Sequence, residues 1–295
     1  TTVIDGLTRR LLTLGEQQLG PPPLVYGWLA FGSQARRELT LASDQDNGLI
    51  IEREPNADQA RYFAQLAQWV CDGLDRCGLR HCPGDVMASN AQWRLSVAGW
   101  NKQFDQWIES PTHQALMYCS IFFDWRLVTG PDRLQQSLRE RMRVIKPDSR
   151  FIAMLTQAAL RHSPPIGFFR SVLLTHAGEH KNQLDLKHEG IALINDIARL
   201  HALAVGSDAQ NTLERLSAAA EHKSLSDKLA RDLRFAWLLL TRLRQQRSQS
   251  GDYNGYWLSP SELSPNEKQR LKAAFGTIKD AQSAALQHFA GGYQG

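Results

Sequence analysis

The stretch from Phe31 to Asn47 constrains the fold more than any other part of the sequence. An apolar run, Val25 to Phe31, precedes it and predicts a buried strand, and Gly48 to Ile51 follows it and predicts a second strand. Between them the chain reads Gly-Ser-Gln-Ala-Arg-Arg-Glu and then, after a short spacer, Ser-Asp-Gln-Asp-Asn. A strand that gives way to a helix at a Gly-Ser pair offers backbone N–H groups and the positive end of a helix dipole to a phosphate. The stretch therefore predicts a phosphate-binding turn at Gly32 and Ser33.

Two aspartates follow this turn at a spacing that suits a metal ion. Side chains alternate along a strand, so Asp44 and Asp46 are expected to project from the same face. Two carboxylates that are close repel each other, and oxygen ligands of this kind suit a hard divalent cation. The turn and the aspartates together predict a nucleotide held at one end and its metal at the other.

This combination resembles the signature of the DNA polymerase beta-type nucleotidyltransferases. It is most similar to bacterial nucleotidyltransferases that are often fused to CBS or cyclic-nucleotide-binding domains and are related to the PII-protein uridylyltransferases. Arg36 and Glu38 match the family's arginine and glutamate, and Asp44 to Asn47 match its Asp-Gln-Asp-Asn. Ala35 departs from the pattern, because a second glycine is expected there. Further similarity lies at Cys82 to Asn90, Ile121 to Gly130 and Leu184 to Gly190.

The resemblance implies an enzyme that moves a nucleoside monophosphate from ATP, UTP or another triphosphate to a hydroxyl group. It implies two Mg²⁺ ions, with Mn²⁺ as an alternative, held by Asp44 and Asp46 as catalytic residues. Arg36 is expected as a countercharge or as a brace for the turn, which Glu38 also fixes. The acceptor is expected to be a regulatory protein in signal transduction. The residues assigned to the nucleotide are Gly32, Ser33, Arg36 and Lys187.

A third carboxylate is usual in sites of this type, and two candidates exist. Asp124 lies in the apolar run Ile121 to Arg126. The resemblance favours Asp124 as the catalytic carboxylate. A buried carboxylate needs a partner, so an ion pair with Arg126 or another arginine is the structural alternative. Asp85 lies in a segment, His81 to Ala88, that is predicted as the third strand.

Residues 1–145 are predicted to form an α+β nucleotidyltransferase domain with a small mixed sheet. Residues 146–295 are predicted to form an all-α helical bundle, which is expected to bind substrate. The nucleotide is expected between the two domains. Helices are predicted in the first domain at 2–19, 56–79, along an aromatic stripe at 93–107, and at 133–144. In the second they are predicted at 151–161, 167–180 and 190–205, after a cap at Ser224, and after a capping box at Ser264, with a loop at 248–256.

Composition excludes several classes of protein. The chain has 295 residues, a net charge of +4 and 42% hydrophobic residues, which suits two globular domains and gives no nucleic-acid-binding stripe. No apolar run or leader pattern indicates a membrane protein or a secreted one, so a cytoplasmic location is expected. Because residue 1 is Thr, a longer chain with upstream regulatory domains is a further expectation. Two other functions stay open: an NTP-binding sensor without transfer activity, and a nucleotidyltransferase that acts on a small molecule.

Overall fold

A computed structural model gives the fold and describes residues 1–147, 149–166, 180, 182–249 and 255–291. The chain divides into two compact units, Thr1–Val144 and Ile145–Gly295. The first combines a four-stranded sheet with helices, and the second is mainly helical, so the predicted fold class is confirmed. None of the helices in the described residues combines the length and the hydrophobicity that crossing a bilayer requires.

The sheet of the first unit brings the turn and the aspartate segment to the same edge. Its strands are β1 (Tyr26–Phe31), β2 (Asn47–Ile51), β3 (Arg94–Ser96) and β4 (Trp125–Thr129), in the order β3-β2-β1-β4. β1 runs antiparallel to β2 and β4, while β2 and β3 are parallel. Ala30 at the end of β1 pairs with Asn47 at the start of β2. The chain that leaves β1 therefore lies beside the chain that enters β2.

Helices cover both faces of this sheet, which explains why β1 and β2 are apolar without alternation. The helices are α1 (Thr2–Leu19), α2 (Gly32–Ala35), α3 (Ala57–Arg76), α4 (Val97–Glu109), α5 (His113–Phe122) and α6 (Arg133–Arg143). On one face, α1 and α3 pack on each other and share a core that includes Leu12, Trp28 and Phe63. The helices predicted at 2–19, 56–79 and 133–144 are confirmed, and α5 was not predicted.

The opposite face carries an aromatic core. Phe31 of β1 contacts Trp100 of α4 and Phe122 of α5, with ring centroids 5.6 and 4.6 Å apart. These large rings are buried, so the aromatic stripe in the sequence is part of the hydrophobic core. The prediction of one helix from 93 to 107 is wrong at its start, because Trp93 lies in a 3₁₀ turn before β3.

The third strand was predicted in the wrong place. His81 to Asn90 forms turns, in which Asp85 has a backbone φ of 54°, and the strand that pairs with β2 is β3. Three residues are too few to give a readable alternation. Asp85 is exposed, and its carboxylate accepts a hydrogen bond from Asn90 over 2.8 Å.

The second unit contains α7 (Arg150–Ala159), a π-helical turn (Lys187–Ile191), α8 (Ala192–Ala204), α9 (Thr212–Glu221), α10 (Asp227–Gln249) and α11 (Pro265–Phe289). Two short strands, β5 (Leu184–Asp185) and β6 (Trp257–Leu258), pair antiparallel. The prediction of an all-α bundle did not include this small sheet. The predicted helix at 167–180, apart from residue 180, and residues 250–254 of the predicted loop lie outside the described residues. Helix α9, which begins after the cap Asn211, was not predicted.

Helix caps in the second unit were predicted with mixed success. Ser264 and Glu267 form the predicted capping box at the start of α11. At α10 the predicted cap, Ser224, is wrong: Ser226 accepts the N–H of Leu229 over 3.2 Å. The hydroxyl of Ser224 instead hydrogen-bonds His201 Nδ1 over 2.8 Å.

Candidate active site

The two candidate metal ligands lie in an extended segment that leads into β2. Asp44 and Asp46 are partly exposed, whereas Gln45 and Asn47 are fully buried. This alternation matches two carboxylates on one side of the segment, although both precede the strand itself. The N–H of Phe31 donates to the carbonyl oxygen of Asp46 over 2.8 Å. The segment is thereby fixed to the end of β1.

The turn after β1 passes directly against the Asp46 carboxylate. Gly32 has a φ of 53°, and a Cβ atom placed on it would lie 3.0 Å from Asp46 Oδ2. Two features therefore favour glycine here: the left-handed backbone, and the close approach of the Asp46 carboxylate. The N–H of Gly32 donates to the carbonyl oxygen of Asp124 over 2.9 Å, so this group is not available to a phosphate. Gly32 contributes to the site by letting the backbone of the turn pass close to the Asp46 carboxylate.

The donors that the turn leaves open belong to the next two residues. No backbone carbonyl among the described residues accepts the N–H of Ser33 or Gln34. The side chain of Ser33 is partly exposed, and its hydroxyl has no hydrogen-bond partner in the described part of the chain. Two N–H groups and a hydroxyl at the first turn of α2 can bind the oxygen atoms of a phosphate.

Arg36 lies between two carboxylates. Its guanidinium forms an ion pair with Asp124 and donates from Nε to Glu38 Oε2 over 2.8 Å. The side chains of Arg36, Glu38 and Asp124 are 11%, 7% and 0% exposed. Buried charges need such partners, and the cluster closes the turn onto the start of β4. Of the two roles expected for Arg36, the geometry favours the brace over a countercharge.

Asp124 therefore has the arginine partner that the structural alternative required. The partner is Arg36, whereas Arg126 pairs with Asp5 over 2.9 Å. The main chain of Asp124 accepts from Gly32 and its side chain holds Arg36, so both ends of the turn are fixed to one residue. A role as third metal ligand stays a prediction.

Lys187 belongs to the second unit, in its π-helical turn. Its ammonium donates to the hydroxyl of Tyr256 over 2.9 Å and lies 4.7 Å from the centre of that ring. The preceding Asp185 accepts the N–H groups of Lys187 and His188 and fixes this turn. Nucleotide binding by Lys187 stays a prediction.

Cys82 lies next to the site, although no role at the site was predicted for it. Burial raises the pKa of its thiol to about 12, and the Asp46 carboxylate, which interacts with the thiol, contributes to the rise. Cys82 is separated from Asp46 by a whole helix in sequence, so no local spacing could have revealed the contact.

The donor set fits magnesium held jointly by protein and nucleotide. Within the described ranges, no three His, Cys, Asp or Glu side chains group together as a metal site. Mg²⁺ usually binds one or two carboxylates and completes its shell with water and substrate phosphates. Asp44, which has no side-chain partner in the described residues, and Asp46 beside the phosphate turn suit that mode.

Comparison with known protein families decides the assignment. Residues 1–114 match the family described as "Putative nucleotidyltransferase DUF294", and residues 149–289 match its companion, "Putative nucleotidyltransferase substrate binding domain". The chain belongs to this nucleotidyltransferase family. The resemblance to a nucleotidyltransferase family, predicted from the turn and the aspartates, is thereby confirmed, and the family supports nucleotidyl transfer as the function. A search of the curated proteins finds no match.

The family matches divide the candidate residues. The nucleotidyltransferase match contains the turn at Gly32 and both aspartates, and the substrate-binding match contains Lys187. Asp124 lies between the two matched ranges. Gln45 and Asn47 were matched to the family motif but given no role, because a polar side chain in a sequence normally indicates exposure and not burial.

Proposed function

We propose that the protein is a Mg²⁺-dependent nucleotidyltransferase that transfers a nucleoside monophosphate from a triphosphate to a hydroxyl group on a regulatory protein. The observation that carries this proposal is the approach of the Gly32 turn to the Asp46 carboxylate, at 3.0 Å from an added Cβ. Hydrogen-bond donors for a phosphate thus lie next to carboxylate oxygens that can bind a metal. A metal-bound triphosphate needs that combination, and a purely structural turn does not.

The residues have distinct roles in this proposal. Asp44 and Asp46 would hold Mg²⁺, or Mn²⁺ in its place, with two ions expected. Bound there, the metal lowers the pKa of the attacking hydroxyl and stabilises the charge that develops on pyrophosphate. The N–H groups and hydroxyl at Ser33 and Gln34 bind phosphate oxygens, and Arg36 keeps the turn in place. Lys187 is proposed as a further contact to the triphosphate.

One observation favours the sensor as second candidate. Among the described residues no third carboxylate groups with Asp44 and Asp46, and Asp124 is engaged by Arg36. A site without a third carboxylate can bind a metal–nucleotide complex and still lack a base for the acceptor hydroxyl. Such a protein would bind the nucleotide and signal to a partner without transfer.

Pyrophosphate release separates the two candidates. The full chain is incubated with Mg²⁺, each nucleoside triphosphate and a cell extract as the source of acceptors. A transferase releases pyrophosphate, and Asp44→Asn and Asp46→Asn abolish the release. Asp58→Asn is the matched control, because this carboxylate is 86% exposed on α3 and its loss should change nothing. Binding of a triphosphate without release, in every extract fraction, would contradict the transferase and favour the sensor.

A further inference from the structure

Two buried amides separate the candidate metal ligands from the protein interior. The side chains of Gln45 and Asn47 are 0% exposed, and they alternate with Asp44 and Asp46 along the segment. A buried amide must find partners for all its donors and acceptors. Besides each other, the partners of these two amides are Cys71 in α3 and two residues of the chain between α3 and β3, Leu79 and Ala88.

The two amides form one relay of hydrogen bonds. The N–H of Ala88 donates to Asn47 Oδ1 over 2.8 Å, and Asn47 Nδ2 donates to Gln45 Oε1 over 3.3 Å. Gln45 Nε2 then donates to the carbonyl oxygens of Cys71 and Leu79, each over 2.9 Å. The N–H of Ala88 can only donate, so it fixes the orientation of Asn47 and, through it, that of Gln45. Each amide can occupy its place in one way only.

The same loop returns to the metal ligands. Backbone N–H groups of Gln45 and Asn47 donate to the carbonyl oxygens of Arg80 and Val86 over 2.9 and 3.0 Å. The guanidinium of Arg94 donates to the carbonyl oxygen of Ala88 over 2.8 Å, so the peptide groups on both sides of Ala88 are fixed by hydrogen bonds. The loop then brings the thiol of Cys82 against the carboxylate of Asp46.

We propose that Gln45 and Asn47 are positioning residues that hold Asp44 and Asp46 ready to bind the metal. The inference rests on the proposed function. With both amides locked inward, the alternation of the chain directs both carboxylates to the other side before any metal arrives. Groups that hydrogen-bond to metal ligands commonly change metal affinity by about 10–100-fold, and we expect an effect of that order from residues that fix the segment carrying the ligands.

The test compares Mn²⁺ affinity, measured by electron paramagnetic resonance of the free ion, with thermal stability in the full chain. Asn47→Leu keeps the volume and removes the relay, and we expect Mn²⁺ binding about tenfold weaker or more. Gln45→Met removes the second half of the relay and leaves the hydrogen bond between Asn47 and Ala88 in place. If Asn47→Leu does not fold, the Mn²⁺ affinity of Gln45→Met provides the test. In either variant, hydrogen exchange in residues 79–90 should rise.

The matched control is Asn195→Leu in the second unit. Asn195 is also buried, and its Oδ1 accepts from Thr212 and Trp237 over 3.1 and 3.0 Å. This variant should lose stability and keep Mn²⁺ affinity. If Asn47→Leu and Gln45→Met lose stability but bind Mn²⁺ as the parent does, their role is structural and the inference fails. A parent chain that binds no Mn²⁺ would instead contradict the proposed function, and this inference with it.

Discussion

Single residues at the site combine features that ordinary packing does not need. Gly32 adopts a left-handed backbone, and its missing side chain leaves room for the Asp46 carboxylate. A Cβ atom at this position would meet an oxygen atom that the proposal assigns to the metal. Gly32 thus connects the phosphate turn with the metal ligands.

Replacing Gly32 by alanine is expected to affect both stability and metal binding. The φ of 53° would cost an alanine roughly 1–2 kcal/mol, and its Cβ would displace the Asp46 carboxylate. Gly6→Ala is the control, because Gly6 lies within α1 with open space around it and should gain about 0.5–1 kcal/mol. Urea denaturation and Mn²⁺ binding measure the two effects. Unchanged Mn²⁺ affinity in Gly32→Ala would argue against the contact.

The ion pair between Asp124 and Arg36 leads to a prediction that separates its two roles. If Asp124 holds the turn through Arg36, Asp124→Asn leaves a buried guanidinium short of one partner and destabilises the chain by about 3 kcal/mol or more. The control is Asp105→Asn, which removes a partner of Arg141 that is 40% exposed. That pair is worth at most about 1 kcal/mol. Unchanged or raised stability of Asp124→Asn would contradict the bracing role of this ion pair.

At the scale of elements, the sequence predicted what local patterns encode. Helices α1 and α3 have continuous apolar stripes, and α11 begins with a complete capping box. β3 was misplaced because its three residues gain their strand conformation from pairing with β2, which lies far away in the chain. The aspartates could be found from the sequence, since both stand beside the turn. The relay of Gln45 and Asn47 could not, because its partners are backbone groups whose positions only the fold determines.

The packing of α8 against the end of α11 predicts a pH dependence in the second unit. Burial, together with a smaller contribution from the neighbouring His288, lowers the pKa of His201 to about 4. Between pH 6.5 and 4 the unfolded chain takes up a proton at this histidine and the folded chain does not, so stability falls as the pH falls. The loss over that range is about 3 kcal/mol.

Urea denaturation at several pH values between 7.5 and 4.5 measures this effect. His201→Phe should show a smaller loss of stability than the parent over the range, because its aromatic side chain cannot take up a proton in either state. His222→Phe, which replaces an exposed histidine, should follow the parent. Parallel pH profiles for the parent and His201→Phe would contradict the prediction.

For the whole molecule, the two family matches place the phosphate turn and the aspartates in one unit and the substrate-binding match in the other. The net charge of +4 is compatible with an anionic nucleotide but does not select one. Base preference is not encoded in a motif, since contacts to a base come from side chains whose types vary. The full chain is therefore the form in which the account has to be tested.

Calorimetric titration of the full chain with each nucleoside triphosphate, with and without Mg²⁺, is the decisive measurement of whether the turn and the aspartates bind a metal-bound triphosphate. We expect the parent to bind at least one triphosphate in a Mg²⁺-dependent manner. We expect Asp46→Asn to lose this binding while its melting temperature stays at or above that of the parent, because a partly exposed carboxylate supports no core packing. A parent that binds no triphosphate, or an Asp46→Asn variant that binds as tightly as the parent, would contradict the account.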